Sequence, residues 1–313
     1  MTLIKPKFWD KKISLISFLL LPLSWIVLLF IFFKKKVTIE KSFKIPIICV
    51  GNIYVGGTGK TPISIFIANE LSKFRKNPVI LRKYYKSHAD EHFLIKENYK
   101  SLLTSNNRIS GIKEAELSNF DMVIMDDGFQ DYKIKKDLNI VCFNQRQKIG
   151  NGFVMPSGPL RENLTALRNA NIALINGKKD SDFEKKILNI NNKLNIFYST
   201  YEPINIEQFK NKNLLAIAGI GNPENFFELL EKNNLSIGKK LIFPDHYKFS
   251  KKEIQNIIDI AERKNYEIIM TEKDYYKIKK FNSDKIKYLK VKIKIKDGDL
   301  LIDKILELYD QKV

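Results

Sequence analysis

The chain has 313 residues, enough for one large or two moderate domains, and carries a formal net charge of +19. This charge predicts an anionic partner such as nucleic acid, phospholipid headgroups or a phosphorylated substrate. Arginine, however, supplies only 7 of the 54 basic side chains, and no nucleic-acid-binding motif occurs. Both observations disfavour nucleic acid. Cys49 and Cys142 fall in predicted buried strands, which argues against disulfides or a cysteine metal site and favours a reducing, cytoplasmic compartment.

The first predicted element is the hydrophobic segment 13–33, in which 21 consecutive residues carry no charge. As one helix it would be about 30 Å long, the thickness of a hydrocarbon core. No small-residue cleavage site follows, which disfavours a signal peptide, and the segment is apolar on every side, which disfavours a buried soluble helix. Pro22 and the lysines at both ends leave open a membrane-spanning anchor and a helix lying in the interface. We predict a membrane-associated helix within residues 1–40.

A glycine-rich loop follows, between a β-branched apolar run at residues 45–50 and a predicted helix from Pro62. Its Gly-Gly-x-Gly-Lys-Thr pattern predicts a phosphate cradle for a nucleoside triphosphate, although Tyr54 stands where the strict pattern has glycine. Lys60 would reach the outer phosphates and Thr61 a magnesium ion. A glycine-rich turn with a coincidental Lys-Thr is the less favoured alternative. The predicted nucleotide-binding residues are Tyr54, Val55, Gly56, Gly57, Thr58, Gly59, Lys60 and Thr61.

Strand and helix signals then alternate, with apolar strands predicted at residues 78–81, 122–126 and 138–143. This alternation predicts a parallel, doubly wound sheet. Asp126 and Asp127 follow one of these strands, where open α/β sheets place their ligands, and one carboxylate could hold magnesium beside Thr61. An Asp-Asp-Gly turn without a metal is the alternative.

The second half contains further short strands near residues 214–219, 241–243, 267–270 and 288–291, and a closing helix from about residue 300. The predicted fold is therefore α/β: a P-loop NTPase-like doubly wound parallel sheet, a second, smaller α/β domain, and the N-terminal hydrophobic membrane helix. The predicted segments are the membrane helix at 1–40, the nucleotide-binding domain at 41–148, connecting elements at 149–210 and the C-terminal domain at 211–313.

The chain has only three histidines, His88, His92 and His246. Phosphoryl transfer to an alcohol needs a group that orients or deprotonates the hydroxyl, and histidine or aspartate usually serves. From its position alone, however, a histidine is more often a surface or hydrogen-bonded residue than a catalyst. The role of His246 therefore stays open at this point.

Several stretches in order along the chain resemble the tetraacyldisaccharide 4'-kinases, the lipid A 4'-kinases that act at the inner face of the bacterial inner membrane. They are Pro22–Trp25, Val50–Pro62, Met125–Gln130, Gly150–Gly152, Pro156–Glu162, Ala218–Pro223, Phe243–His246 and Met270–Asp274.

The resemblance implies ATP and Mg²⁺ at the loop from Tyr54 to Thr61. It also implies that Asp90 pairs with His246 to activate the sugar hydroxyl, which is sensible base chemistry because a carboxylate orients an imidazole and raises its basicity. The implied metal residues are Thr61, Asp126 and Asp127, and the further implied site residues are Glu162, Arg108, Arg82 and Tyr84.

Three departures from the family pattern are visible. The family's Arg-Gly-Tyr reads Arg82-Lys83-Tyr84, its Asp-Glu-Pro reads Asp90-Glu91-His92, and its Asp-Asp-Gly-Phe-Gln-His ends in Asp131. These departures cluster around the predicted acceptor site rather than the phosphate loop.

We therefore expect a membrane-associated kinase that transfers the γ-phosphate of ATP to the 4'-hydroxyl of a tetraacyldisaccharide 1-phosphate in lipid A biosynthesis. The expected partners are this acylated disaccharide and the phospholipid surface at the cytoplasmic face of the inner membrane, with neither nucleic acid nor an obligate protein partner. The alternative is a membrane-bound P-loop ATPase switch that acts through a protein partner. A non-enzymatic basic binder of nucleic acid or membrane ranks below both.

Overall fold

The computed structural model describes residues 6–85, 89–245, 247–281 and 284–312. These residues form two compact units. The phosphate-loop unit contains residues 6–84, 99–200 and 294–312, and the second unit contains the other described residues. The predicted boundaries at residues 40, 148 and 210 stay predictions.

A mostly parallel sheet forms the centre of the phosphate-loop unit and confirms the predicted α/β fold. Among the described residues it has eight strands, in the spatial order β12 (Val291–Ile295), β7 (Asn195–Pro203), β6 (Ile172–Asn176), β5 (Leu138–Asn144), β1 (Ile47–Gly51), β4 (Met122–Asp126), β2 (Pro78–Lys83) and β3 (Leu102–Ser105). Strands β7 and β12 continue into the second unit. The helices of the phosphate-loop unit are α1 (Leu15–Leu19), α2 (Leu21–Val37), α3 (Lys60–Lys73), α5 (Arg108–Leu117), α6 (Ser181–Leu188) and α10 (Gly298–Lys312).

The register of the central strands determines which residues meet at one edge of the sheet. Val50 of β1 lies beside Asp126 of β4, and Asp126 lies beside Arg82 of β2. Every residue of β1 and β4 is buried, as expected of parallel strands that are covered on both faces. The carboxyl ends of β1, β4 and β2 therefore bring the phosphate loop, a carboxylate and an arginine together.

The second unit has its own parallel sheet of four strands among the described residues, in the order β11 (Ile286–Leu289), β10 (Glu267–Thr271), β8 (Asn213–Ala218) and β9 (Ser236–Ile242). Its helices are α4 (Ala89–Asn98), α7 (Pro223–Lys232), α8 (Lys251–Lys264) and α9 (Glu272–Ile278). Leu215 of β8 packs with Ile254 of α8, whereas its neighbour Leu214 packs with Phe227 of α7. Successive strand residues thus bury opposite faces, which confirms the predicted second α/β unit.

The hydrophobic segment 13–33 is not the single helix that its length predicts. It divides at Leu20 into α1 and α2, with Pro22 in the first turn of α2. A proline has no N–H to donate within a helix and its ring clashes with the carbonyl four residues earlier, so α1 ends before it. Within the part of the chain described here, none of the helices combines the length and the apolar character that crossing a bilayer requires.

The two N-terminal helices bury serines and expose apolar side chains, the reverse of a soluble helix. The Ser17 hydroxyl accepts from Asn151 Nδ2 at 3.0 Å, and the Ser24 hydroxyl lies 2.7 Å from the Val154 carbonyl oxygen. Large apolar residues remain exposed, among them Phe30 at 69%. Hydrogen bonds to residues 151–157 therefore hold the helices on the protein while their apolar side chains face outward.

Candidate active site

The phosphate loop joins the end of β1 to the start of α3. Gly56 and Gly59 have φ of 136° and 83°, backbone conformations that residues with a Cβ rarely adopt. Gly59 immediately precedes Lys60, the first residue of α3, so the first N–H groups of the helix border the loop. A loop of this kind, opening a helix of 14 residues, forms a cradle for phosphate oxygens.

Tyr54 explains how the loop begins without the glycine of the strict pattern. Its ring is fully buried, its hydroxyl accepts from Asn144 N at 3.0 Å, and burial raises its pKa. The next residue, Val55, donates its N–H to the Pro159 carbonyl at 2.8 Å. The Tyr54 side chain therefore anchors the start of the loop to β5.

Thr61, Asp126 and Arg82 meet beside the loop. Thr61 Oγ1 donates to Asp126 Oδ2 at 2.9 Å, and Arg82 Nη1 pairs with the same oxygen and lies 3.2 Å from Thr61 Oγ1. Asp126 is fully buried and Arg82 nearly so. Arg82 therefore contacts Asp126, the carboxylate that is predicted to bind the metal ion.

Asp127, the second predicted metal residue, adopts a positive φ of 58° beyond the end of β4. Its Oδ1 lies 3.0 Å from Arg161 Nη1 and 3.6 Å from Lys60 Nζ. Burial alone would raise the pKa of Asp127, but Lys60 and Arg161 outweigh that effect and hold it well below its ordinary value. Arg161 was missed as a site residue, although it lies in the Pro156–Glu162 stretch that carries the family resemblance.

The donor set suits Mg²⁺ rather than a softer metal. No group of three or more His, Cys, Asp or Glu side chains in the described ranges could hold a metal ion by itself. Magnesium bound with a nucleotide needs only one or two carboxylates, because phosphate and water oxygens supply the other ligands. The Thr61 hydroxyl and the Asp126 carboxylate can supply the protein oxygens of such a site, and they lie within hydrogen-bond distance of each other.

Glu162 connects the start of the phosphate loop with α2. It is 1% exposed and accepts from Lys35 Nζ at 2.7 Å, Tyr132 Oη at 2.9 Å and Gln130 Nε2 at 2.9 Å. Gln130 Nε2 also donates to the Asn52 carbonyl at 2.8 Å. The predicted site residue Glu162 thus links the basic end of the hydrophobic segment to the residues that begin the loop.

Arg108 supports the backbone of the two aspartates. Its Nη2 donates to the Asp127 carbonyl at 2.8 Å, and its Nη1 lies 3.4 Å from Asp131 Oδ2. Asp131 is one of the three departures from the family pattern, and here it is an acidic partner for Arg108. Tyr84, another predicted site residue, is 48% exposed just after β2.

Asp90, the carboxylate of the predicted catalytic pair, belongs to the second unit. Asp90 lies in the first turn of α4 and is 6% exposed. Lys273 Nζ and Lys277 Nζ of α9 each lie 3.8 Å from Asp90 Oδ2. His246 lies outside the described residues, as does His88, so the pairing of Asp90 with His246 stays a prediction.

Comparisons with known proteins identify a single family. The family model for tetraacyldisaccharide-1-P 4'-kinase matches residues 16–309. A tetraacyldisaccharide 4'-kinase from Pelagibacter ubique is 43% identical over 99% of this chain and 100% of that protein, and one from Rickettsia bellii is 34% identical over 97% and 98%. The crystal structure of an "apo" form of LpxK from Aquifex aeolicus in complex with ATP has a similar fold, with a TM-score of 0.70 and 22% identity over 94% of this chain and 100% of that one.

Proposed function

The chain belongs to the tetraacyldisaccharide-1-P 4'-kinase family, and from this membership we infer that it transfers the γ-phosphate of ATP to the 4'-hydroxyl of a tetraacyldisaccharide 1-phosphate. It is an ATP-dependent phosphotransferase of lipid A biosynthesis, and the ATPase-switch alternative is not favoured. This conclusion rests on a glycine-rich cradle with Thr61 and Asp126 beside it. The chain that contains this cradle matches the family model over residues 16–309.

The phosphate-loop unit supplies the residues that bind the donor. We propose that the N–H groups from Gly56 to Thr61 and the Lys60 ammonium hold the phosphates of ATP, because these donors border the cradle. Thr61 and Asp126 would hold Mg²⁺, with Asp127 near it. When bound, the ion would neutralise charge on the phosphates. Arg161, which lies 3.0 Å from Asp127, keeps that carboxylate oriented.

The second unit supplies the group that activates the acceptor. We propose that Asp90 orients His246 and that His246 takes the proton of the 4'-hydroxyl as the oxygen attacks the γ-phosphorus. In this step the new P–O bond forms as the bond to the β-phosphate oxygen breaks, and ADP leaves. The resemblance of Asp90-Glu91 and Phe243–His246 to the family motifs supports this assignment, and so does the burial of Asp90 beside two lysines.

Transfer of labelled γ-phosphate from ATP to tetraacyldisaccharide 1-phosphate in detergent micelles tests the proposed function. We expect product from the wild type, and kcat lower by roughly 10²-fold in Asp90→Ala and in His246→Ala, because a positioned base contributes about that much or more. Glu97→Ala is the control, since Glu97 is an acidic residue of α4 whose carboxylate pairs with exposed Lys279. ATP binding without phosphorylated lipid in the wild type would refute the kinase, and near-normal rates in both variants would refute the base.

We also propose that α1 and α2 place the enzyme at the cytoplasmic face of the inner membrane, by lying in the interface. Trp25, Ile26 and Phe30 are 64%, 63% and 69% exposed, and Lys34 to Lys36 follow at the end of α2. Burying such apolar side chains among acyl chains is favourable, and nearby lysines are attracted to anionic headgroups. An acylated disaccharide could then present its headgroup while its chains remain in lipid.

Sedimentation with vesicles that contain anionic phospholipid tests this placement. We expect Phe30→Glu to weaken vesicle binding about tenfold, because it replaces an inserted ring with a charge. Phe74→Glu is the matched control. Phe74 is also an exposed phenylalanine, at 53%, but it follows α3 and is not part of α2. Equal binding by the two variants would refute insertion of α2, provided that both retain wild-type circular dichroism.

A further inference from the structure

The stretch Met270–Asp274 has no role in the function proposed above, although it is among the motifs that carry the family resemblance. It ends β10 and begins α9, and its Lys273 lies 3.8 Å from Asp90. We propose that Lys273 is a positioning residue that holds Asp90 and Asp245, the residue before His246 in the sequence, in the arrangement needed for proton removal. This inference rests on the proposed function, because it takes Asp90 and His246 as the activating pair.

Lys273 contacts carboxylates from two separate segments of the second unit. Its Nζ lies 3.0 Å from Glu91 Oε1, 3.8 Å from Asp90 Oδ2 and 3.1 Å from Asp245 Oδ1. Glu91 and Asp90 lie on α4, whereas Asp245 immediately precedes His246. An ammonium group carries three donors and can serve several acceptors at once. One side chain therefore joins α4, which carries Asp90, to Asp245.

The backbone beneath Lys273 is held by a buried hydrogen-bond network. Asp274 is fully buried and accepts from Gly219 N at 2.7 Å and from Thr271 Oγ1 at 2.7 Å, while Thr271 caps the start of α9. Lys277 Nζ closes the network at 2.6 Å from Asp274 Oδ1 and 2.9 Å from the Gly219 carbonyl. Lys277 Nζ also lies 3.8 Å from Asp90 Oδ2, whereas Lys273 contacts both α4 and Asp245.

Electrostatics explains why the position needs a cation. Asp90, Glu91 and Asp245 each place a carboxylate oxygen within 3.8 Å of Lys273 Nζ, so loss of this cation would leave like charges close together. A buried carboxylate is also costly unless it is paired. A neutral side chain at position 273 would let α4 and the Asp245 segment move apart, so proton removal would slow while ATP binding in the other unit stayed intact.

Steady-state kinetics of the full chain with Lys273→Met tests the proposal. We expect kcat to fall on the order of 10²-fold with the KM for ATP within about twofold of wild type, because the defect lies in base positioning. Lys273→Arg keeps the charge and should recover most of the rate. Lys279→Met is the matched control, since Lys279 also pairs with a carboxylate of α4, Glu97, but is exposed.

A double-mutant cycle separates positioning from general stabilisation. If Lys273 acts through Asp90, Lys273→Met should cost little further activity in an Asp90→Asn background, whereas independent effects would multiply. Multiplicative losses, or a Lys273→Met variant as fast as wild type while Asp90→Asn is impaired, would overturn the inference. Should Lys273→Met fail to fold, Asp245→Asn is expected to lower kcat about fivefold or more, and a wild-type kcat for it would overturn the inference. An inactive wild type would instead refute the proposed function.

Discussion

Replacing Lys60 with methionine is expected to lower kcat/KM for ATP by roughly 10³-fold, because this variant loses the cation that we propose binds the outer phosphates. Lys60 begins α3, its side chain is only 13% exposed, and its Nζ lies 3.6 Å from Asp127 Oδ1. Burial lowers the pKa of Lys60, and the Asp127 carboxylate opposes that shift. Methionine preserves the length of the side chain, so the fall in kcat/KM measures the contribution of the positive charge. Initial rates of labelled phosphate transfer at varied ATP concentration measure it.

Lys73→Met provides the matched control for this prediction. Lys73 lies at the other end of α3, is exposed and pairs with Glu70 within the same helix. A surface pair of this kind contributes little, so we expect wild-type kinetics. If Lys60→Met stayed within tenfold of wild type, Lys60 would not be the residue that neutralises the transferred phosphoryl group.

Replacing Asp126 with asparagine is expected to reduce kcat by roughly 10³-fold and the free energy of unfolding by about 3 kcal/mol. Activity falls because Thr61 and Asp126 form the oxygen pair that would hold Mg²⁺. Stability falls because Asp126 is the buried carboxylate that faces buried Arg82. Transfer assays measure the first effect and urea unfolding the second.

A second substitution separates the two effects of Asp126→Asn. Adding Arg82→Met removes the buried guanidinium and should restore most of the lost stability, because neutralising both members of a buried pair is far less costly than removing one. Activity should stay low, since the carboxylate is still absent. Recovery of activity together with stability would mean that Asp126 is only a partner of Arg82 and not a metal ligand.

Local sequence patterns were sufficient for the fold class and for the elements that flank the phosphate loop, but they missed strands β3, β6 and β7. The apolar run before the phosphate loop, the glycines within it and Pro62 after it follow from steric rules that act over a few residues, and the structure has a buried strand, a cradle and a helix there. The same patterns failed for segment 13–33, where apolar composition predicted one long helix. There Pro22 interrupts the helix, although the composition of the segment is apolar throughout.

The sequence by itself determined the fold class, the phosphate loop and the family, because each depends on residue types in short, ordered stretches. Only the tertiary structure decided that Arg82 faces Asp126, that Glu162 binds Lys35 of α2, and that Lys273 joins α4 to Asp245. Lys35 and Glu162 are 127 positions apart in the sequence. No local periodicity encodes such a pair, because its geometry depends on strand order, register and the packing of every element between them.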